Sequence, residues 1–327
     1  MVERKSTSPI SYSVAIRTLG TAGDKFVKMI RSLESQSIPA EHIFVYIADG
    51  YPLPQRIGKE EYIYCPKGMV HQRALPYDEI SSEYILLCDD DVLFEKNSVE
   101  QLFEGLFSNQ GDAISPNVYQ NYQWSIKEKM IQAVFHGLYP DHFSKYAFKV
   151  RRSSYFSYHV SPKPVMETQC FAGACILLKK TVFQSITLQD ENWMDMFKYP
   201  LGEDLVFAYK LFRYGYTVLI HSNCGITHQD AQTSHEIDRY KGYKDNCTIR
   251  HLIWYRCIFQ PDSKFTRIAD ISSYYSRWGF RYVVAVLSRI FGRNNRSDRD
   301  SILALKEAKQ IIQSDSFSRI PIWKTIR

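Results

Sequence analysis

The feature that most constrains this chain is the run Glu83-Tyr84-Ile85-Leu86-Leu87-Cys88, which ends abruptly on Asp89-Asp90-Asp91. A continuous apolar run of that length reads as a strand buried on both faces, the kind found in parallel sheets covered by helices. The preceding residues agree. Ser11 to Thr18 (SYSVAIRT) alternates and is β-rich, and after the turn Gly20-Thr21-Ala22-Gly23 the stretch DKFVKMIRSLESQSIP sets Phe26, Ile30 and Leu33 on one helical face until Pro39. His42 to Ala48 (HIFVYIA) then reads as a second strand ending at Asp49-Gly50. This βαβ unit implies a parallel sheet with a right-handed crossover. One helix is expected near Val70 to Ile80, before the apolar run. A second, with Val99, Leu102, Phe103 and Leu106 in register, is expected after it.

Composition supports a large folded core: 45% of residues are hydrophobic, 23% charged and 14% aromatic, which excludes disorder, collagen and coiled coil. A length of 327 residues suggests two domains, or one large α/β domain with an appendage. The seven cysteines are odd in number, scattered and never spaced C-x-x-C, so neither a zinc ribbon nor a disulfide framework is indicated and a reducing compartment is favoured. The opening MVERKSTSPIS lacks the apolar core of a secretory signal and reads as a polar tail. The apolar run Tyr282 to Leu287, closed by Arg281 and Arg289, is far short of the roughly 20 residues that span a bilayer. The net charge of +6 is uneven: the part from Arg250 onward carries +9 and the remainder −3. A basic tail on a slightly acidic body suggests that the tail meets a polyanion or an anionic membrane face; a solvated helical surface is the plainer alternative.

From Ser115 to Glu167 the periodicity is lost, and the segment is aromatic (Tyr119, Tyr122, Trp124, Tyr139, Tyr146, Tyr155, Phe156, Tyr158) and basic (Lys149, Arg151, Arg152), either an acceptor platform or an irregular packed insertion. Order returns with a strand over Phe171 to Leu178, then a helix over Glu203 to Tyr214 stopped at Gly215, and a strand over Tyr216 to Ile220. After Asn246 come amphipathic helices carried by Ile249-Leu252-Ile253, Val284-Leu287-Ile290-Phe291 and Ile302-Leu305-Ala308-Ile312. These patterns divide the chain into a polar tail over 1–10, a first half over 11–115, a second half over 116–248 and a basic helical segment over 249–327; the family resemblance given below implies nucleotide-sugar binding for the first half and acceptor binding and catalysis for the second.

In open α/β sheets ligands bind beyond the carboxyl ends of the strands, where Thr18, Asp49 and Asp89 to Asp91 fall. Three successive aspartates repel one another unless a cation or donor groups compensate, and hard oxygen ligands suit Mg²⁺ or Mn²⁺ with substrate phosphates completing the shell. A solvated turn or a helix cap is the alternative. Glu203-Asp204 opens a helix after Pro200-Leu201-Gly202, where the helix dipole favours the ionised carboxylate that a general base needs, although capping alone would also explain the pair.

The order of these features resembles the family-2 inverting glycosyltransferases of the GT-A fold, over roughly Tyr12 to Ser234. YSVAIRTLG is similar to the family's opening strand, with Arg17 where proline is commonest. HIFVYIADG resembles the strand ending in a base-reading aspartate, with Ala48 in place of a second one. HQRALPYDEISSEYILLCDDD matches in length the stretch from the family's Ala-Arg-Asn signature to its D-x-D motif, with Ala74 in place of asparagine. FAGACILLKKTVF resembles the acceptor-side strand, GEDLVFAYKLFRYGYTVL the segment holding the catalytic carboxylate, and His228 stands where a metal-binding histidine is often found.

The resemblance implies a mixed Rossmann-like sheet flanked by helices, with the C-terminal helices as an extension. It implies that Asp49 reads the base, Thr18 and Arg73 line the nucleotide pocket, Asp89 contacts the ribose, Asp90 supports these groups, and Asp91 and His228 hold Mn²⁺ or Mg²⁺. His221 and His235 are rivals of His228. Asp204 would be the general base of an inverting displacement, with Glu203 structural or an acceptor contact. The implied partners are a nucleotide-sugar donor, by default a UDP-sugar, and a glycan acceptor on a lipid carrier in bacterial surface-polysaccharide assembly, not nucleic acid. The implied location is the cytoplasmic membrane face, reached through the C-terminal segment, which could instead form a homodimer interface. A sugar nucleotidyltransferase fits less well because Gly20-Thr21-Ala22-Gly23 only partly matches a phosphate loop, and a catalytically silent scaffold would be expected to lack Asp91, Asp204 and His228.

Overall fold

The computed structural model describes residues 10–118, 125–133, 137–159, 163–229, 241–290 and 296–326. Tyr119, Tyr122, Trp124, His235, Phe291 and nearly all of the expected polar tail lie outside the described residues. In chain order the first half comprises β1 (Tyr12–Thr18), α1 (Asp24–Glu34), β2 (Ile43–Ala48), β3 (Glu61–Cys65), α2 (Met69–Arg73), β4 (Tyr84–Asp89), β5 (Val92–Phe94), α3 (Ser98–Ser108) and β6 (Ala113–Pro116). The second half adds α4 (Ile126–Ile131), β7 (Leu138–Asp141), β8 (Phe148–Val150), β9 (Phe156–His159), β10 (Val165–Glu167), β11 (Cys175–Lys179), α5 (Lys180–Ser185), α6 (Glu203–Arg213), β12 (Val218–His221) and β13 (Ile226–His228). The C-terminal helices are α7 (Lys241–Ile253), α8 (Lys264–Ile290), α9 (Arg296–Ile312) and α10 (Asp315–Ser318). A 3₁₀ helix spans Leu188–Met196, and a π-helical turn over Trp254–Phe259 follows α7.

Eight strands form one sheet in the order β10-β12-β6-β11-β4-β1-β2-β3. The β3-β2-β1-β4 half is parallel throughout, whereas β11 runs antiparallel to both β4 and β6, and β10 runs antiparallel to β12. The sheet is mixed because the chain enters β11 from the opposite end after the long insertion that follows β6. Both faces are covered, as the apolar run over β4 requires. Val14, Ile16, Val45, Leu86 and Cys88 pack with Phe26, Ile30 and Leu33 of α1 and Leu102 and Leu106 of α3. Ala15, Phe44, Tyr46, Ile85 and Leu87 pack on the other side in a cluster with Phe207 and Leu211 of α6.

Three expected elements differ. The helix near Val70 to Ile80 stops at Arg73, because Pro76 disfavours helical geometry at Leu75. The strand expected from Phe171 begins only at Cys175, since the preceding loop crosses the Arg73 side chain, whose guanidinium donates to the Gly173 carbonyl. The segment with lost periodicity folds in part as a three-stranded sheet, β7-β9-β8, too short-stranded to show a period.

The C-terminal helices pack on the body. Ile249, Leu252, Ile253, Trp254, Cys257, Ile258, Tyr274, Ala308, Phe317 and Trp323 share one core with the inner side of α6. Among the described side chains of α9 the fully buried positions are Ala304 and Ala308, while Ile302 and Leu305, expected on the apolar stripe, are exposed, because small residues let α9 lie close against α7. Residue 248 lies inside α7, and no described helix is long and apolar enough to cross a membrane.

Candidate active site

The site forms where β1 and β4 end side by side, with Arg17 paired in register to Asp89. The Arg17 guanidinium donates from Nε to Asp89 Oδ1, from Nη1 to the Met69 carbonyl at 2.8 Å and from Nη2 to Glu203 Oε1 at 3.1 Å. Arg73, on the last turn of α2, reaches the same carboxylates: Nη1 donates to Glu203 Oε2, while Nη2 donates to the Gly173 carbonyl and stands 3.5 Å from Asp89 Oδ1. Two arginines therefore hold both oxygens of one buried glutamate. Burial pushes the Glu203 carboxyl up, and Arg73 and Arg17 pull it back down.

Asp204 follows at the start of α6, after Gly202 at φ +97°, a left-handed conformation that glycine adopts without strain. Its Oδ1 accepts from the Leu205 N–H at 2.8 Å. Burial raises its carboxyl above the ordinary aspartate range, against the backbone hydrogen bonds of Leu205 and Gly173 and the charge of Arg73. Gly173 is required by close approach: a Cβ there would lie 2.9 Å from the Asp204 Cβ and 2.6 Å from Arg73 Nη1.

The turn Asp89-Asp90-Asp91 divides its side chains. Asp89 joins the arginines. The Asp90 Oδ2 accepts from the Thr18 hydroxyl, which in turn accepts from the Gly20 N–H at 2.7 Å. Burial, reinforced by the charges of Asp91 and Asp89, pushes the Asp90 carboxyl up to about 6. Asp91 is buried, and His228 Nε2 lies 3.0 Å from its Oδ1. That contact is set by backbone pairing: β5 and β13 run antiparallel with Val92 opposite His228, and the Gln229 N–H donates to the Asp91 carbonyl at 2.8 Å.

Asp91 and His228 form an oxygen–nitrogen donor pair. Two neighbouring ligands at the roughly 2.0–2.1 Å bond length of an octahedral Mg²⁺ would stand about 3 Å apart, which this pair does. No group of three or more His, Cys, Asp or Glu side chains that could hold a metal occurs among the described residues. The pair therefore fits an ion whose remaining ligands come from a bound substrate, and does not fit a closed protein cage.

Thr18, Arg73, Asp89, Asp90, Asp91, Asp204 and His228 thus sit at the carboxyl end of the sheet, while Asp49 is solvent-exposed at the end of β2. His221 is elsewhere: it ends β12, packs on α3 near Gly105, and burial lowers its ring. Arg17 was noted in the sequence only as a departure from a family pattern. Its place at the centre of the carboxylates follows from the β1–β4 register, which no local signal reveals. Asp195 was also missed; it accepts from the Val70 and His71 N–H groups at 3.0 and 2.7 Å and so anchors the start of α2, which carries Arg73.

No protein-family model matches the sequence, and no curated protein matches it. Solved structures do share its fold. The S. aureus TarS 1-349 fragment in complex with UDP-GlcNAc aligns over 92% of this chain and 81% of its own, at TM-score 0.51 and 11% identity. Weaker likenesses are to S. aureus TarS, covering 82% of this chain at TM-score 0.47 and 10% identity, and to GalNAc-T7 with UDP, GalNAc and Mn²⁺, covering 67% at TM-score 0.48 and 11% identity. This chain spans 43% of each of those two. The fold is the mixed α/β sheet flanked by helices expected for the GT-A class, with the C-terminal helices present.

Proposed function

We propose that the protein is a metal-assisted glycosyltransferase that moves a sugar, with inversion, from a nucleotide-sugar donor, by preference a UDP-sugar, to a hydroxyl of a glycan acceptor. The observation that carries this reading is the Asp91–His228 pair at metal-ligand spacing, placed at the same strand ends as a buried carboxylate, Asp204, on this fold. Asp91 and His228 would hold Mn²⁺ or Mg²⁺, which when bound neutralises charge developing on the departing diphosphate. A histidine ligand tilts the choice toward Mn²⁺.

Asp204 takes the proton from the acceptor hydroxyl, and its raised carboxyl makes it a stronger base than a solvated aspartate. Glu203, held at both oxygens by arginines, keeps that helix end in place. Asp49 is free to meet the base, and Thr18 and Asp89 stand where the nucleotide would enter. Arg73 is already engaged by Glu203, Gly173 and Asp89, so it shapes the floor of the pocket. In this reading the donor half is 11–115, the acceptor-binding and catalytic half 116–248, and the basic helices 249–327. The acceptor is a lipid-linked glycan of surface-polysaccharide assembly, and the enzyme is peripheral on the inner membrane face. Supporting the last point, α8 leaves Phe265, Ile268, Tyr282, Val283, Leu287 and Ile290 exposed.

The test is calorimetry of UDP with and without Mn²⁺, together with nucleotide release from a panel of sugar nucleotides. UDP should bind tightly only with the metal, and one donor should release nucleotide. Equal UDP affinity in excess chelator would remove the metal from the reading, and absence of nucleotide binding would remove the reading itself.

A further inference from the structure

Arg17 takes no direct part in the sugar transfer, yet its three guanidinium nitrogens serve three different elements. From β1, Nε donates to Asp89 Oδ1 at the end of β4, Nη1 to the Met69 carbonyl that opens α2, at 2.8 Å, and Nη2 to Glu203 Oε1 at the start of α6, at 3.1 Å. Arg73, on α2, meets the same two carboxylates, at Asp89 Oδ1 across 3.5 Å and at Glu203 Oε2. The four side chains close a ring in which cation and anion alternate: Arg17, Asp89, Arg73, Glu203. That ring joins the two ends of the crevice. Asp89 stands where the nucleotide would enter, and Glu203 is the residue before the proposed base.

The members of the ring are unequally buried. The side chains of Arg73 and Glu203 are nearly sealed, whereas a quarter of the Asp89 side chain is exposed. Both arginines share Asp89 Oδ1, and among the described residues no hydrogen bond reaches its Oδ2. A ligand hydroxyl donating to that oxygen draws on charge that Arg17 and Arg73 otherwise divide between Asp89 and Glu203. On the far side of the ring, Arg73 Nη2 donates to the Gly173 carbonyl, and the N–H of Gly173 donates to the Asp204 carboxylate. The base is therefore tied to the ring twice, through its neighbour Glu203 and through Gly173. Burial raises the Asp204 carboxyl, and Arg73 and then Arg17 pull it back down, so the base feels both charges. A lysine in place of Arg17 would have one nitrogen to divide among acceptors set on three elements.

We propose that Arg17 is a positioning residue that couples the two substrates: through Asp89 and Glu203 it ties occupation of the donor pocket to the placement of Asp204 against the acceptor hydroxyl. This inference rests on the glycosyltransferase reading. Coupling between two sites is reciprocal, so whatever the donor does to the start of α6, a change at the start of α6 does to the donor. Glu203 has no contact with the nucleotide in this reading. Its loss nevertheless weakens UDP binding, and does so through Arg17.

The experiment is a double-mutant cycle on the full chain, with UDP affinity read by calorimetry in Mn²⁺. Glu203→Gln should weaken UDP binding about fivefold, the lower end of the coupling between linked sites, whereas Asp204→Asn, one residue on, should leave it near wild type. In an Arg17→Gln background the Glu203→Gln change should have little further effect. If Arg17→Gln does not fold, the cycle is run on Arg17→Lys, where the Glu203→Gln effect should shrink in the same direction. The second readout is hydrolysis of the sugar nucleotide that releases nucleotide in the donor panel. Arg17→Lys should lose about tenfold in turnover with a smaller change in the KM for donor and a melting temperature near wild type, a split that loss of folded protein does not produce. Additive effects of the two changes on UDP binding, or wild-type turnover in Arg17→Lys, would overturn the coupling while the donor reading stands. If the wild type does not bind UDP, both fall.

Discussion

Two charge clusters lie about two turns apart along α6, one at its front end and one further back, and they are built on opposite terms. Toward the back of the helix, Glu191, Lys210 and Arg256 are all sealed from solvent. Glu191 Oε1 accepts from Lys210 Nζ and from Trp323 Nε1, each at 2.8 Å, and Oε2 accepts from Trp193 Nε1 at 2.8 Å. Arg256 Nη2 reaches Glu191 and the Pro321 carbonyl. Glu191 meets two cations and two indoles, and Asp190 Oδ2, 3.9 Å from Lys210 Nζ, supplies the second negative charge. At the front, Arg17 and Arg73 pair with Asp89 and Glu203, while Asp90, Asp91 and Asp204 stand beside them in the chain without an arginine ion pair among the described contacts, so the carboxylates are in excess. The shifts follow this balance. Glu191 stays below the ordinary glutamate range because Lys210 and Arg256 outweigh its burial, whereas Glu203, Asp204 and Asp90 are all raised. A fully paired cluster holds the fold; an acidic surplus asks for a cation from outside.

The largest effect should come from breaking the satisfied cluster. Glu191→Gln leaves two buried cations facing a neutral amide and should cost about 3–5 kcal/mol, measured as a drop in denaturation midpoint. The sign with pH follows. A depressed carboxyl contributes stability that is present above the usual glutamate value, about 4.3, and is lost as pH falls through its lowered folded value. Wild type should therefore lose stability more steeply than Glu191→Gln below about pH 4. Parallel acid melts of the two proteins would contradict the comparison.

At the front the same kind of change should act on turnover. Asp204→Asn is expected to lower turnover by about 10²-fold or more in a sugar-transfer assay while leaving UDP affinity close to wild type. Because a raised carboxyl contributes stability that is lost as pH rises through its folded value, the amide should melt no lower than wild type at neutral pH, with any advantage closing on acidification. Retained turnover with an unchanged KM would move the base to another residue, Glu203 first.

The change expected in UDP affinity is smaller and tests the surplus directly. In Asp91→Ala, metal should no longer strengthen UDP binding, so calorimetry with Mn²⁺ and with chelator should converge, and transfer should be lost with it. If Mn²⁺ still sharpened UDP binding in this variant, the pairing with His228 would not mark the ion's place.

The weakest effect concerns the outer surface. Trp254 and Trp323 are buried and Tyr255 and Trp278 are half-buried, whereas α8 exposes Phe265, Tyr275, Phe280 and Tyr282. That helix presents an apolar face, and each nearby basic residue adds about 1 kcal/mol at an anionic leaflet. Full-length protein should float with anionic liposomes at low salt and release as salt rises. A concentration-dependent dimer without flotation would assign that face to a second copy.

Much of this protein was legible along the chain. The βαβ pattern before Asp49, the buried run into Asp89 and the break at Gly202 each rest on local periodicity and turn chemistry, which are properties of neighbouring residues. They determined a parallel half-sheet and the carboxyl end where Thr18, Asp89 and Asp91 gather. Three other features were decided by the tertiary structure. Arg17 became the hub of the site only because β1 and β4 pair in one register. Glu203 and Asp204, adjacent in sequence, stand about 100° apart around the helix start, so that both arginines bond Glu203 while Asp204 accepts from the Leu205 N–H. His228 meets Asp91 through two three-residue strands, too short to carry a period, whose pairing depends on how distant segments meet. The C-terminal aromatics make the same point: amphipathic spacing states that a face will be buried, and only packing decides whether protein or lipid buries it.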